Sequence, residues 1–323
     1  MSTLRLGTRM SMLALAQAGQ VAAEVERVTG RPVVRVGIET EGDRLVDRPL
    51  ASNTGPMAKG WFTAAIEDAI RAGRVEFAVH SLKDLPVAET PGLTLIIPKR
   101  ADPADVLLLG AVEQGAGLPV DAARIAGQIG ASSPRRLALL KRWLPQTAGA
   151  FLRGNVTTRI TRLREGKYDG ILLAASGLGR LAEGSAWAAA NPALAEARAA
   201  GVRVLRVDTR LWPGAPGQGA LALQVRSDDT ATLDLLAPLE HAATRRAITL
   251  EREALAALGT GCAVPFGACV TGDAADSATF AVEVDGQMIV GECAATELAS
   301  IVTNPDAIRA HALTGELTFE EMT

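Results

Sequence analysis

Hydrophobic positions in the first hundred residues switch repeatedly between two periods. Leu4 to Thr8 is a short apolar run that reads as a strand. Ala14, Ala18, Val21, Val25 and Val28 then recur at spacings of four and three, the stripe of one amphipathic helix. Val33 to Thr40 reads as a second strand, residues 61–72 as a helix, and Val75 to Ser81 and Leu93 to Ile97 as further strands. Such alternation predicts a mostly parallel sheet covered on both faces. A second alternating block has a strand at Val106 to Leu109 and helices at 134–144 and 156–165. It continues with a buried strand at Ile171 to Ala175, an alanine-rich stretch at 185–201 that is helical around Pro192, and strands at Val202 to Val207 and Ala220 to Val225.

From about residue 240 the pattern changes. A helix at 240–258 ends at Gly259, a hairpin signal at Asp285-Gly286 separates the apolar runs 279–284 and 287–291, and a helix lies near 305–313. The polar segment 98–105 with its two prolines and the glycine- and proline-rich 211–219 suit crossings between the two blocks. The expectation is an α/β protein with two doubly wound domains around a cleft and a small C-terminal α+β domain. Residues 1–98 with about 217–238 form the first, about 104–210 the second, and about 240–323 the third. Ligands of such sheets bind beyond the carboxyl ends of the strands.

Composition narrows the function. Of 323 residues, 48% are hydrophobic and 21% charged, which supports a packed core rather than disorder. A net charge of −3 and an aromatic content of 3% argue against a nucleic-acid partner. Three cysteines do not make a disulfide framework and point to a reducing compartment. The longest uncharged stretch, 254–272, contains four glycines and Pro265, so no membrane span is expected. Arg5 and Arg9 precede an apolar run, and Ala16-Gln17-Ala18 mimics a signal-peptidase site. The helical stripe passes straight through that point, so the segment reads as retained and the location as cytoplasmic.

Positive charge gathers between 131 and 180, where eight arginines and two lysines face only Glu165 and Asp169. Arginine forks favour bidentate capture of carboxylate or phosphate. Arg142, Arg162 and Arg164 read as a solvated face. Ser133 before Pro134 is a helix start, with Arg135 and Arg136 in a first turn that the helix dipole makes unfavourable for cations. A ligand's acid groups would relieve that repulsion and use the free backbone N–H groups. Arg9 and Ser11 sit at a second strand-to-helix junction, and Arg153 and Arg159 flank a third, capped by Asn155 or Thr157. Three such junctions imply a ligand with several negative groups.

Residues 80–86 (HSLKDLP) end a buried strand, where active groups of α/β sheets lie. Lys83 and Asp84 are the candidates there, whereas His80 reads as structural. Cys262 occupies a glycine-rich loop. Three histidines and scattered cysteines make a metal site improbable, so none is assigned. The chain has no P-loop, GxGxxG, nucleophile elbow or HExxH.

Seven segments, taken in order, resemble the porphobilinogen deaminase (hydroxymethylbilane synthase) family. They are 8–18 (TRMSMLALAQA), 80–86, 130–136 (GASSPRR), 152–159 (LRGNVTTR), 173–181 (LAASGLGRL), 216–221 (PGQGAL) and 251–267 (EREALAALGTGCAVPFG). The resemblance implies periplasmic-binding-protein-like lobes and a monomeric enzyme of tetrapyrrole biosynthesis. It joins four porphobilinogen molecules head to tail with loss of ammonia, primed by one dipyrromethane cofactor per chain held by a thioether. Cys262 matches the attachment position. By the same resemblance Asp84 is catalytic, and Ser81, Lys83, Asp84, Ser133, Arg135, Arg136 and Arg159 hold the cofactor. Arg9, Ser11, Arg153, Arg180, Gln218 and Lys59 hold incoming substrate and the extending chain. Departures from the family pattern are a longer 50–60 loop that keeps only Lys59, together with Ala131, Pro134, Gly259-Thr260 and Ala263. One working carboxylate implies that the chain moves past it, with hinges at 98–105 and 210–219. The competing reading is a non-catalytic two-lobed binder of a polycarboxylate, which explains the arginines but not Cys262 or Asp84.

Overall fold

The computed structural model describes residues 2–40, 63–110, 121–183, 192–259, 264–272 and 274–322. Cys262, Lys59 and the 50–60 loop lie outside them, as do Trp61 and Phe62 of the expected helix at 61–72.

The first lobe is a five-stranded sheet in the order β2-β1-β3-β10-β4. Its strands are β1 (Leu4–Thr8), β2 (Val33–Gly37), β3 (Phe77–Ser81), β4 (Leu93–Ile96) and β10 (Leu221–Arg226). Helix α1 (Met12–Thr29) buries Ala18, Val21 and Val25 of the expected stripe. Ser11 accepts from the Ala14 N–H at its start, and Gly30 ends it at φ 67°, the left-handed conformation that glycine adopts freely. Helix α2 (Ala64–Arg71) packs Ile66 and Ile70 onto the sheet.

The second lobe holds β5 (Asp105–Leu109), β6 (Gly127–Ala131), β7 (Thr147–Phe151), β8 (Gly170–Ala174) and β9 (Arg203–Val207). With β14 (Phe319–Glu321) they form a sheet ordered β14-β9-β5-β8-β6-β7. Helices α3 (Pro134–Trp143), α4 (Val156–Arg164), α5 (Ala175–Glu183) and α6 (Pro192–Ala199) connect these strands.

Both lobes follow one plan. Parallel strands lie second, first, third, and an antiparallel strand is inserted before the fourth. The inserted strand is β10 in the first lobe and β5 in the second, and each arrives by a crossing from the other lobe. The sheets are therefore mixed, not simply parallel.

Helix α7 (Thr230–Leu236) follows β10, and α8 (Ala242–Ala257) leads into a C-terminal antiparallel sheet. That sheet comprises β11 (Gly267–Thr271), β12 (Ser277–Val284) and β13 (Gln287–Ala294), with Asp285-Gly286 at the expected hairpin. The short helices α9 (Leu298–Ile301) and α10 (Pro305–Ala310) follow. The chain then leaves this unit, because β14 pairs antiparallel with β9. The expected third unit of 240–323 therefore does not keep its last strand. Among the described residues no helix is long and apolar enough to cross a membrane.

Strands β6 and β7 and helix α5 were not expected from the sequence. GQIGA and TAGAF carry too few branched residues for a strand signal. The site instead demands small residues: a Cβ on Gly130 would lie 2.8 Å from Leu152 Cδ2.

Candidate functional site

The two crossings run side by side between the lobes. Ala101 N–H donates to Gly219 O at 3.2 Å, and Arg180 of α5 donates to the same carbonyl at 2.6 Å. Gly219 has φ +90°, and a Cβ there would lie 2.4 Å from Ala101 O. Only glycine fits this approach.

Where the first crossing enters the second lobe, Asp105 opens the wholly buried strand β5. Its carboxylate accepts four hydrogen bonds. Oδ1 takes Arg136 Nη2 at 2.6 Å and Gln218 Nε2 at 2.9 Å, while Oδ2 takes Arg135 Nη2 at 2.8 Å and Trp212 Nε1 at 2.9 Å. The flanking guanidiniums hold this carboxyl well below the usual range, overriding a burial that acts in the opposite direction.

Arg135 and Arg136 stand in the first turn of α3, as the sequence implied, and both are buried. Ser133 is the N-cap by backbone conformation, but its side chain makes no capping bond. The repulsion at this helix start, expected to await a ligand's acids, is already partly relieved by Asp105. Arg135 Nη1 also donates to Pro213 O at 2.9 Å and Arg136 Nη1 to Leu172 O at 3.1 Å. The Nε atoms of both arginines are buried with no hydrogen-bond partner. Two guanidiniums on one carboxylate leave the cluster positive, with donors unspent.

From the first lobe, Lys83 reaches the same place in the turn Leu82–Asp84 that follows β3. Its Nζ donates to Gln218 Oε1 at 3.3 Å. Burial pushes this ammonium down to about 8; Asp84 and Asp105 pull it up, while Arg136 and Arg135 push it further down. Asp84 itself is exposed. Ser81 accepts from Gln17 Nε2 at 2.9 Å. His80 is buried in β3, where burial and the nearby Arg9 push it to about 4, and its Nε2 has no partner. The structural reading of His80 fits that burial.

On α4, Asn155 is the cap, accepting from Thr158 N–H at 2.8 Å. Arg159 donates to Gly154 O at 2.8 Å and to Ser132 Oγ at 3.1 Å. Burial, with Arg136 and Arg162 beside it, pushes this guanidinium down to about 10. Arg153 lies over the Phe151 ring, 5.3 Å from its centroid. Arg9 and Ser11 lie at the β1–α1 junction, with the Ser11 hydroxyl committed to its cap. Lys83, Arg135, Arg136 and Gln218 meet around one carboxylate; Arg159 joins them through Arg136, and Arg180 meets the crossing they adjoin.

Arg142 corrects the sequence reading. It donates to Met288 O at 2.9 Å and Leu313 O at 3.4 Å, tying α3 to the C-terminal unit rather than forming a solvated face. Arg162 donates to Arg153 O at 3.0 Å, and Arg164 pairs with Glu196.

Sequence reasoning missed Asp105 and Trp212, and also the buried pair Arg100–Glu251. Arg100 Nη1 meets Glu251 Oε1 at 2.6 Å, while Gly217 and Val270 N–H donate to the same carboxylate at 2.7 and 2.8 Å. A usable signal existed for Asp105: a charged residue opening an otherwise apolar strand, DVLLL. Among the described residues no group of His, Cys, Asp and Glu is arranged to hold a metal.

These features define a two-lobed α/β protein with guanidinium and ammonium donors gathered where the crossings join the lobes. Residues 4–234 match the family model described as porphobilinogen deaminase, dipyromethane cofactor binding domain, and the chain belongs to that family. Porphobilinogen deaminase 1 of Streptomyces coelicolor is 44% identical over 271 residues, covering 82% of this chain and 77% of that one. The porphobilinogen deaminases of Roseiflexus castenholzii and Syntrophotalea carbinolica are 40% and 41% identical. They cover 90% and 92% of this chain and 89% and 88% of their own. Among solved structures, the periplasmic aliphatic sulphonate binding protein SsuA from Escherichia coli is similar at a TM-score of 0.40 and 14% identity, covering 80% of this chain and 70% of that one. Family membership favours the enzyme over the non-catalytic binder.

The residues present fit a dipyrromethane. Such a group carries several carboxylates, and the buried, unpartnered Nε atoms of Arg135 and Arg136 are donors that carboxylates satisfy.

Proposed function

We propose how this chain's residues divide the work of its family's reaction, the head-to-tail condensation of porphobilinogen into hydroxymethylbilane with loss of ammonia. Bound dipyrromethane supplies the nucleophilic pyrrole carbon on which the product is built. Cys262 is the residue that holds it. Lys83, Arg135, Arg136, Arg159, Ser81 and Ser133 bind its acetate and propionate groups. Arg9, Ser11, Arg153, Arg180, Gln218 and Lys59 take the carboxylates of incoming substrate and growing chain.

Asp84 is the catalytic carboxylate. Its Oδ atoms accept from pyrrole N–H groups and orient the rings. As substrate ammonia departs with a proton, the ring left behind is cationic, and the Asp84 charge stabilises it. After the carbon–carbon bond forms, the proton lost from the ring carbon passes to Asp84, which delivers it to the next leaving amine. The observation that carries this reading is the contrast between two carboxylates: Asp105 is buried and committed to four donors, whereas Asp84 is exposed beside Lys83.

The same reading treats the chain as three units, the two lobes and the C-terminal sheet with α8, acting as a monomer in the cytoplasm. Cys269 and Cys293 are free and buried, with thiols pushed up to about 12 and 11 by burial, which suits a reducing compartment.

The test is the intact mass of the purified chain, read together with porphobilinogen consumption. A gain of two pyrrole units, absent in Cys262→Ser, is expected. An unmodified mass, with no gain on incubation and no porphobilinogen consumed, overturns the assignment.

A further inference from the structure

Asp105 belongs to none of the groups assigned above, yet it touches Arg135, Arg136 and Gln218, which belong to two of them. Its four hydrogen bonds come from two parts of the chain and tie them to a third. Arg135 and Arg136 lie in the first turn of α3, and Trp212 and Gln218 lie in the returning crossing, while Asp105 itself ends the outgoing one. Gln218 turns its other end to Lys83 of the first lobe at 3.3 Å. One buried carboxylate thus fixes two guanidiniums and, through a single amide, an ammonium from across the cleft.

A second feature limits what this carboxylate does. Each oxygen already accepts two short hydrogen bonds, so neither has a lone pair to offer a ligand or a travelling proton. Its environment keeps it ionised at every working pH. It is unsuited to acid–base work and suited to holding its partners in place.

The physical need is clear. Arg135 and Arg136 are adjacent in sequence, buried, and placed where the helix dipole repels cations. Without a fixed negative charge the two forks repel each other, and burial lowers the affinity of Arg135 for its proton. With that charge each fork is held on one oxygen of the same carboxylate. Each also anchors a second nitrogen on a backbone carbonyl, and each keeps its Nε unpartnered.

We infer that Asp105 is the positioning residue of the ligand-binding arginine cluster, preorganising Arg135 and Arg136 for carboxylate capture without touching the ligand. This inference rests on the function proposed above and adds a residue to it.

The charges facing Lys83 supply a readout that a purely structural role would not move. They are Asp84 on its own turn, Arg135 and Arg136 on α3, and Asp105 on β5, with Arg159 of α4 beyond Arg136. Removing Asp105 leaves Asp84 alone against the two arginines, so the Lys83 ammonium loses its proton at lower pH. Carboxylate capture by Lys83 then fails at lower pH as well.

The experiment uses full-length chain produced in a host that makes no porphobilinogen. It is incubated with porphobilinogen between pH 6 and 9, and incorporation of pyrrole units is timed by intact mass. Wild-type chain is expected to load, with an alkaline limb near pH 8. Asp105→Asn is expected to load at least about tenfold more slowly at pH 7, with its limb moved to lower pH, and Asp105→Glu to return the limb toward wild type. A folded Asp105→Asn that loads at the wild-type rate, or slowly with an unmoved limb, overturns the inference. If Asp105→Asn does not fold, Trp212→Phe takes its place, since it keeps the charge and withdraws one of the four anchors. Loading slowed about threefold or more with the limb unmoved supports the inference, and loading at the wild-type rate overturns it. A wild-type chain that neither gains mass nor consumes porphobilinogen sinks the proposed function itself, a result distinct from any of these.

Discussion

Two aspartates, one exposed and one saturated, illustrate how neighbours rather than residue type assign a role. Asp84 follows a buried strand and faces solvent, so it is available to pyrrole N–H groups. Asp84→Asn should keep the fold, shown by an unchanged circular dichroism spectrum. Turnover should fall by about 10²–10⁴-fold, the range for loss of a general acid–base group; near-normal turnover removes Asp84 from the mechanism. His80 makes a different prediction. Burial holds its pKa near 4 against an ordinary value of 6.5. Between those values the unfolded chain binds a proton that the folded chain does not, so stability is complete above pH 6.5 and is lost as pH falls toward 4. Urea unfolding at several pH values should show this slope, and His80→Gln should flatten it. The candidate residues were readable because short motifs carry them; Asp105 shows in the sequence only as a charge opening an apolar strand, and its role was not readable because its partners lie 30 and 107 positions away.

Elements tell a related story. Helix α1 was recoverable from its stripe and the junction at Ser11, since both signals are local. The start of α3 at Pro134 was equally plain. Strands β6 and β7 were not, because glycine and alanine give no periodic signal and the strand state is imposed by pairing of β6 with β8, of β7 with β6, and by close packing. Helix α8 carries the least visible device. Glu251, wholly buried, receives Arg100 from one crossing, Gly217 N–H from the other, and Val270 N–H from β11. Glu251→Ala leaves a buried, uncompensated guanidinium. It should cost about 3–5 kcal/mol, read as a lower urea midpoint.

For the whole molecule, the two lobes exchange strands, so the crossings are at once connections, sheet members and the walls of the site. Gly219 is where they touch. Gly219→Ala puts a Cβ 2.4 Å from Ala101 O at φ +90°. It should lower stability by about 1–3 kcal/mol, as for a side chain forced into a glycine-only conformation. Thermal unfolding measures this loss, and an unchanged Tm would mean that the crossings separate without cost. The expected hinges at 98–105 and 210–219 carry several of the ion pairs and hydrogen bonds between units. Arg100–Glu251 and Asp105–Gln218 are among them, so these segments are tied down in the structure rather than slack.

Periodicity, capping residues and contiguous motifs are properties of neighbours in the chain. They sufficed to indicate an α/β protein with two crossings, a hairpin-bearing C-terminal unit, a cluster of arginines at helix starts and a candidate acid after a buried strand. Folding in three dimensions settled three further matters. An antiparallel strand is inserted into the middle of each sheet, the chain's last strand returns to the second lobe, and Asp105 rather than a ligand alone balances Arg135 and Arg136. Each depends on groups distant in sequence meeting: backbone ladders for the strands, and for Asp105 a buried charge pairing that outweighs local preference.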